Sequence, residues 1–219
     1  MAIWKKFLNN YIISVDGPAG SGKERISKYI ARKYDMYHLD SGILYRRFAN
    51  IVIKNNINIK SDKNLIKIIN SMKNLSPNNN KALRNENVSI ISSKIAKKYV
   101  VRDFINKQQK IIIKLALKKY KGAVIDGRDI GSKVFKEAKI KLFISVTPEI
   151  RAKRRHKQLL AQGEKSIYAQ ILKGIKLRDK NDINRKVSPL IMPKKAFLID
   201  NSNSFKETIK QINSIIEKK

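Results

Sequence analysis

An apolar run, Tyr11-Ile12-Ile13-Ser14-Val15, stops at Asp16 and gives way to Gly17-Pro18-Ala19-Gly20-Ser21-Gly22-Lys23. Beyond it Ile26, Tyr29 and Ile30 recur at helical spacing. Strand, glycine loop and helix in this order leave a chain few folds to adopt. The frame Gly17-x4-Gly22-Lys23 suits a phosphate cradle. Glycines let backbone N–H groups converge, the helix N-terminus favours an anion, and the Lys23 ammonium can reach the outer phosphates. One departure stands out. A Ser or Thr ordinarily follows the lysine and holds Mg²⁺, whereas Glu24-Arg25 follows here. Glu24 is unfavourable beside a triphosphate unless it points away or meets Mg²⁺, and Arg25 could add a phosphate contact.

Further strands are predicted at Met36–Asp40, Ala123–Asp126, Ile140–Val146 and Ala196–Asp200, each a short apolar run. Such runs mark strands buried on both faces, and their alternation with helical stretches predicts a parallel α/β sheet. Thr147-Pro148 reads as a cap and first turn opening a helix through Leu160. Ser204 with Glu207 reads as a capping box before the last helix. Ser71 to Asn87, polar and asparagine-rich, reads as a loop or a small excursion from the core.

Composition bounds the rest. A chain of 219 residues with 42% hydrophobic residues can bury a full core, and one domain is expected. No apolar run approaches the roughly 18 residues of a membrane span. The first ten residues, MAIWKKFLNN, lack the apolar stretch of a secretory signal, so a cytoplasmic protein is expected. With no cysteine and only His38 and His156, thiolate and multi-histidine metal sites are excluded or disfavoured. The net charge of +32 comes from 37 lysines and 12 arginines against 17 acidic residues. The lysines are spread along the whole chain, amid much Ile and Asn, as a base-composition bias would leave them. A polyanionic partner is the other reading, and a positive cleft is compatible with both.

The arginines are less evenly spread. Arg46 lies in Asp40-Ser41-Gly42-Ile43-Leu44-Tyr45-Arg46, at the carboxyl edge of a predicted strand, where open α/β sheets bind ligands. Arg128 stands between carboxylates in Asp126-Gly127-Arg128-Asp129. Asp126 sits where such proteins often place an acid linked to Mg²⁺. Arg151, Arg154 and Arg155 share one predicted helix, and Arg178, Asp182 and Arg185 follow. Taken singly, each group reads equally as a core tyrosine, a turn ion pair or a solvated face. Taken with the glycine loop, they suit planar phosphate recognition and transition-state charge in phosphoryl transfer.

Together these motifs resemble the bacterial cytidylate kinases, P-loop nucleoside monophosphate kinases, over most of the chain and in order. The resemblance rests on Ile13–Lys23, on Leu39-Asp40-Ser41-Gly42 with Tyr45-Arg46, and on Asp126-Gly127-Arg128-Asp129-Ile130-Gly131. Arg151-Ala152 with Arg154-Arg155, Arg178-Asp179 with Asp182 and Arg185, and Ser188-Pro189-Leu190 complete it. The fold so implied is a P-loop NTPase: a five-stranded parallel sheet flanked by helices, with a small monophosphate-binding lobe at about 41–105 and a short lid at about 151–185. The core would then comprise 1–40, 106–150 and 186–219.

The implied reaction is phosphorylation of CMP, and of dCMP, by ATP with Mg²⁺. Gly17, Pro18, Ala19, Gly20, Ser21, Gly22 and Lys23 would hold ATP. Lys23, Arg128, Arg154 and Arg155 would stabilise the transferring group. Arg46, Arg128, Arg178 and Arg185 would hold the CMP phosphate, and Ser41 and Tyr45 would be among the substrate-binding residues. Asp182 would take the ribose hydroxyls, and Ser93, Arg102 and Asp129 would read cytosine. Asp126 would reach Mg²⁺ through water. The asparagine-rich segment is too short for all of the antiparallel insert that many bacterial members carry. A monomer without membrane or specific nucleic-acid partner is expected. The rivals are a kinase for another monophosphate and a non-catalytic basic protein that binds nucleic acid.

Overall fold

The computed structural model describes residues 11–79 and 81–218; the amino-terminal segment just discussed lies outside them. In chain order the elements are β1 (Tyr11–Asp16), α1 (Lys23–Tyr34), β2 (Tyr37–Asp40), α2 (Ser41–Lys54), α3 (Asp62–Asn70), α4 (Glu86–Ile95) and α5 (Tyr99–Ala116). There follow β3 (Gly122–Gly127), β4 (Ile140–Ser145), α6 (Pro148–Ala161), α7 (Tyr168–Asn184), β5 (Phe197–Asp200) and α8 (Phe205–Ile216). The strands form one parallel sheet in the order β2-β3-β1-β4-β5. The five predicted strands are these five, with ends shifted by a residue at most.

The sheet is parallel because β1 and β3, apolar on both faces, are covered on both. Ile13, Val15, Val124 and Ile140 pack with Ile26 and Ile30 of α1 and Ile212 of α8. Leu39, Ala123 and Ile125 pack with Ile113 of α5. Register then decides what gathers at the carboxyl edge. Asp40 of β2 lies opposite Asp126 of β3, and Asp16 of β1 opposite Gly127. Asp40 and Asp126 therefore sit side by side at the level where the glycine loop begins, and Asp16 lies one position further along β1.

A second cluster lies beside the sheet. Leu44 and Phe48 of α2, Leu65 of α3, Ile95 of α4 and Ile105 of α5 are all fully buried. The 71–79 stretch is a loop, as expected, but it is tied down. Leu75 is buried in this cluster and its N–H donates to Gln108 Oε1 at 2.9 Å. The end of the predicted loop is helical: Asn85 caps α4, accepting from the Val88 N–H at 2.8 Å. Thr147 and Ser204 cap α6 and α8 as their sequences suggest. The Glu207 carboxylate closes its turn on the Ser204 hydroxyl, at 2.9 Å.

Candidate active site

The loop between β1 and α1 is held open by bonds to its outward-facing carbonyls. Ala19 O accepts from Arg151 at 3.0 Å and Ser21 O from Asn201 Nδ2 at 2.8 Å. Because the peptide is planar and trans, each carbonyl held outward turns the next N–H, of Gly20 and Gly22, the other way. The glycines are obligatory here. Gly22 has φ +86°, and a Cβ would lie 2.5 Å from Asn201 Nδ2; Gly17 has φ +148°, and a Cβ would lie 2.5 Å from Ile144 O. Asp16 anchors the loop from below, its two oxygens accepting from the Ile130 and Gly131 N–H groups at 2.8 Å each. Burial outweighs those bonds and raises its pKa to about 6.

Lys23 folds back over the loop, donating to Pro18 O at 2.7 Å. Its side chain is buried, and desolvation, with the Arg128 guanidinium nearby, lowers its pKa to about 7. Asp126, Asp16 and Asp40 act against that fall. A phosphate in the loop would restore the ammonium.

Facing the loop is a cavity of about 420 Å³ at the carboxyl edge of the sheet. It brings together Gly20, Gly22 and Lys23 of the loop, Ser41, Tyr45 and Arg46 of α2, Ser93 of α4 and Arg102 of α5. Asp126 lies at the end of β3, Arg128 and Asp129 follow it, and Arg178, Asp182 and Arg185 come from α7 and its end. Every acceptor-side residue expected from the sequence lines this one space.

Its far wall is a set of guanidinium–carboxylate pairs. Arg102 donates to Asp129 at 2.7 Å and to Ala96 O at 2.6 Å, and both partners of the ion pair are buried. The Arg102 guanidinium stands 5.6 Å from the Tyr45 ring. Burial pushes the Tyr45 phenol up to about 12, so it stays neutral. Asp182 accepts from Arg128 Nε at 3.1 Å and from Arg185 at 3.4 Å. Burial works against its charge, but those guanidiniums outweigh it and its pKa lies below the usual range.

Positive charge remains in excess. Arg178 Nε and Arg185 Nη2 are buried donors with no partner among the described residues. Burial, and then Arg102, lower Arg185 to about 10; burial, and then Arg128, lower Arg178. Unmet donors at planar guanidiniums are what a bound phosphate would satisfy.

Two expected residues are elsewhere. Arg154 donates to Ser202 O and Asn203 O at 3.1 and 3.2 Å, on the loop after β5, and Arg155 is exposed and donates to Gln158. Neither lines the cavity. The helix's buried arginine is instead Arg151, 3% exposed, which binds Ala19 O and Val146 O and pairs with Asp179 of α7. Asn201 was equally unforeseen. It links the loop to the Thr208 hydroxyl of α8 at 2.8 Å. Arg151 stood within a noted arginine cluster; for Asn201 no sequence signal existed, since its partner Ser21 lies 180 residues away.

A parallel sheet in this order, with a glycine loop between its central strand and first helix and a polar cavity before it, defines a P-loop kinase of small molecules. The crystal structure of TT1252 from Thermus thermophilus shares the fold, with TM-score 0.50 and 14% identity over 96% of this chain and 98% of that one. The family model described as cytidylate kinase matches residues 13–218. The cytidylate kinase of Rickettsia rickettsii (strain Sheila Smith) is 38% identical over 211 residues, 96% of this chain and 93% of that protein. That of Thermosipho africanus (strain TCF52B) is 39% identical over 214 residues, 94% and 92%. The chain belongs to the cytidylate kinase family. That membership, and the arginines gathered on one small cavity, do not favour the nucleic-acid-binding alternative. No helix among the described residues is long and apolar enough to cross a membrane.

Proposed function

We propose that the chain transfers the terminal phosphoryl group of ATP to the phosphate of CMP, and of dCMP, yielding the diphosphate and ADP. The observation that carries this reading is the buried Arg102–Asp129 pair at the cavity wall facing the phosphate loop. Cytosine offers acceptors at O2 and N3 and a donor at its exocyclic amine. A guanidinium serves the acceptors and a carboxylate the amine. Uracil inverts the amine edge and presents an oxygen to Asp129.

In this reading α2 to α5, about 41–105, form the monophosphate lobe, and α6 and α7, about 151–185, the lid. Arg46, Arg128, Arg178 and Arg185 hold the CMP phosphate, with Ser41 and Tyr45 shaping the entrance. Asp182 exchanges part of its guanidinium contacts for the ribose hydroxyls, and Ser93 sits beside the base. The acceptor phosphate, with a second pKa near 6, is already largely anionic, so no general base is needed. Positioning and positive charge do the rest. Lys23 leaves Pro18 O and follows the transferring group, while Arg128 sits between donor and acceptor. Arg154 and Arg155 reach the phosphates only after α6 moves, the kind of lid closure common among kinases.

Mg²⁺ fits the donor set as an ion that arrives on the nucleotide with most of its water. Among the described residues no group of three acidic or histidine side chains forms a cage. Asp40 and Asp126 lie side by side in register, and burial and then Asp126 raise the Asp40 pKa, a strain that a cation would relieve. These two would hold it, Asp126 through water. The ion would neutralise charge between the outer phosphates.

ADP formation with MgATP and CMP, dCMP, UMP, GMP or AMP tests the reading. Turnover on CMP and dCMP with little on the others is expected. Preference for another monophosphate would retain the kinase and remove the cytosine assignment.

A further inference from the structure

Glu24-Arg25 follows the lysine where such loops ordinarily place a Ser or Thr directly after it. Arg25 occupies the first turn of α1, two residues beyond Lys23. The side chain is exposed, yet it is held. Its guanidinium lies 3.8 Å over the ring of Phe205, the first residue of α8. Phe205 is in turn set edge-on by Tyr29, with ring centroids 6.1 Å apart at 90°. Stacking uses the face of a guanidinium and leaves its N–H edge in the plane, ready for a phosphate. No carboxylate among the described residues takes that edge.

The position of Arg25 is as telling as its chemistry. It lines the catalytic cavity and also a neighbouring groove of about 660 Å³, whose walls include Lys28, Tyr29, Arg32 and Phe205. Glu24 and Arg25 alone are common to the two spaces. A triphosphate whose terminal group faces the acceptor wall must carry its nucleoside out of the loop on the other side. The phosphate attached to the nucleoside then passes Arg25.

We propose that Arg25, pre-set by Phe205, binds the nucleoside-linked phosphate of the donor nucleotide through a charged and stacked contact. The proposal rests on the kinase reading above. It makes Arg25 a donor-specific binding residue, with no part in holding the acceptor.

The test compares the full-length chain with R25A, R25K and F205L, using steady-state kinetics and calorimetric titration with ADP. Removing one charge-assisted phosphate contact should raise the ATP KM and the ADP Kd about tenfold or more in R25A, with the CMP KM within twofold. R25K restores part of the loss at most, because an ammonium neither stacks nor forks. F205L keeps the guanidinium but frees it, and should weaken ADP about threefold. An ADP Kd within twofold of the parent in R25A would overturn the proposal, as would a CMP KM that rises in parallel with that for ATP. If the parent chain fails to phosphorylate any monophosphate, the kinase reading falls, while the ADP titration still decides the role of Arg25.

Discussion

The two sides of the cavity hold charge by different means. On the donor side, backbone does the holding. Carbonyls of Ala19 and Ser21 are pinned from outside, N–H groups are turned inward, and a single lysine bends over the loop. On the acceptor side, side chains hold one another. Arg102 pairs with Asp129, and Arg128 and Arg185 share Asp182. A backbone cradle accepts any phosphate chain of suitable length and says nothing of the base. A wall of paired side chains can be read by one base and one sugar. In the proposed reading, specificity would therefore belong to the acceptor wall, and charge neutralisation of the donor to the loop.

The comparison is broken most severely at Lys23. K23A should lower kcat by about 10³-fold while leaving the CMP KM within a few-fold, as removal of a preorganised charge does. A rise in the CMP KM as large as the loss in kcat would show that the two sides are not separable.

Next in size is the tie between lid and loop. Asp179 balances Arg151, whose side chain is 2% exposed. D179A leaves that guanidinium buried and unpaired, and should cost about 3 kcal/mol in urea unfolding. D179N, which keeps an acceptor oxygen, should cost less than half of that.

A smaller effect tests the Lys23 environment. The free lysine titrates at about 7, and an anionic phosphate beside it raises that value in the complex. Binding then takes up protons between about pH 7 and the raised value. ADP affinity should fall as pH rises from 7.5 to 8.5, by up to about tenfold, over a range in which the nucleotide itself is fully ionised. Calorimetry in buffers of different ionisation enthalpy should show the uptake directly. A flat profile would mean that Lys23 is already charged in the empty loop.

The smallest expected change is at Lys28, whose pair with Glu24 is an i, i+4 contact between side chains half in solvent. K28A should shift stability by about 0.5 kcal/mol or less and leave both KM values within twofold.

What could be read in the sequence divides along the same line. The donor side is local: strand, glycines and lysine are contiguous, so their spacing defines the loop without tertiary information. The five strands were legible for a related reason, since each is a short apolar run, although only β1 and β3 are buried on both faces and β5 leaves Leu198 exposed. On the acceptor side the residue types were visible and the pairings were not. Nothing in the order of Arg128, Arg178, Asp182 and Arg185 says that Arg128 rather than Arg178 bonds Asp182. Asp16 reaches Ile130 across 114 residues, and Arg151 rather than its neighbours turns inward to Ala19. Those choices follow from how α6, α7 and the loop after β3 dock on the sheet, and no short pattern records it. The lobe core was hidden likewise. Leu75 and Leu83 are isolated leucines in polar surroundings, and only their meeting with α2 and α5 makes a core.

The most direct test of an acceptor wall that reads the base is the ratio of kcat/KM for CMP to that for UMP, in the parent chain and in D129N. The amide oxygen can still accept from Arg102, while the group proposed to take the cytosine amine gains a donor facing the uracil oxygen. The ratio should fall by about 100-fold, with the ATP KM unchanged. An unaltered ratio would contradict the account and place base recognition elsewhere in the cavity.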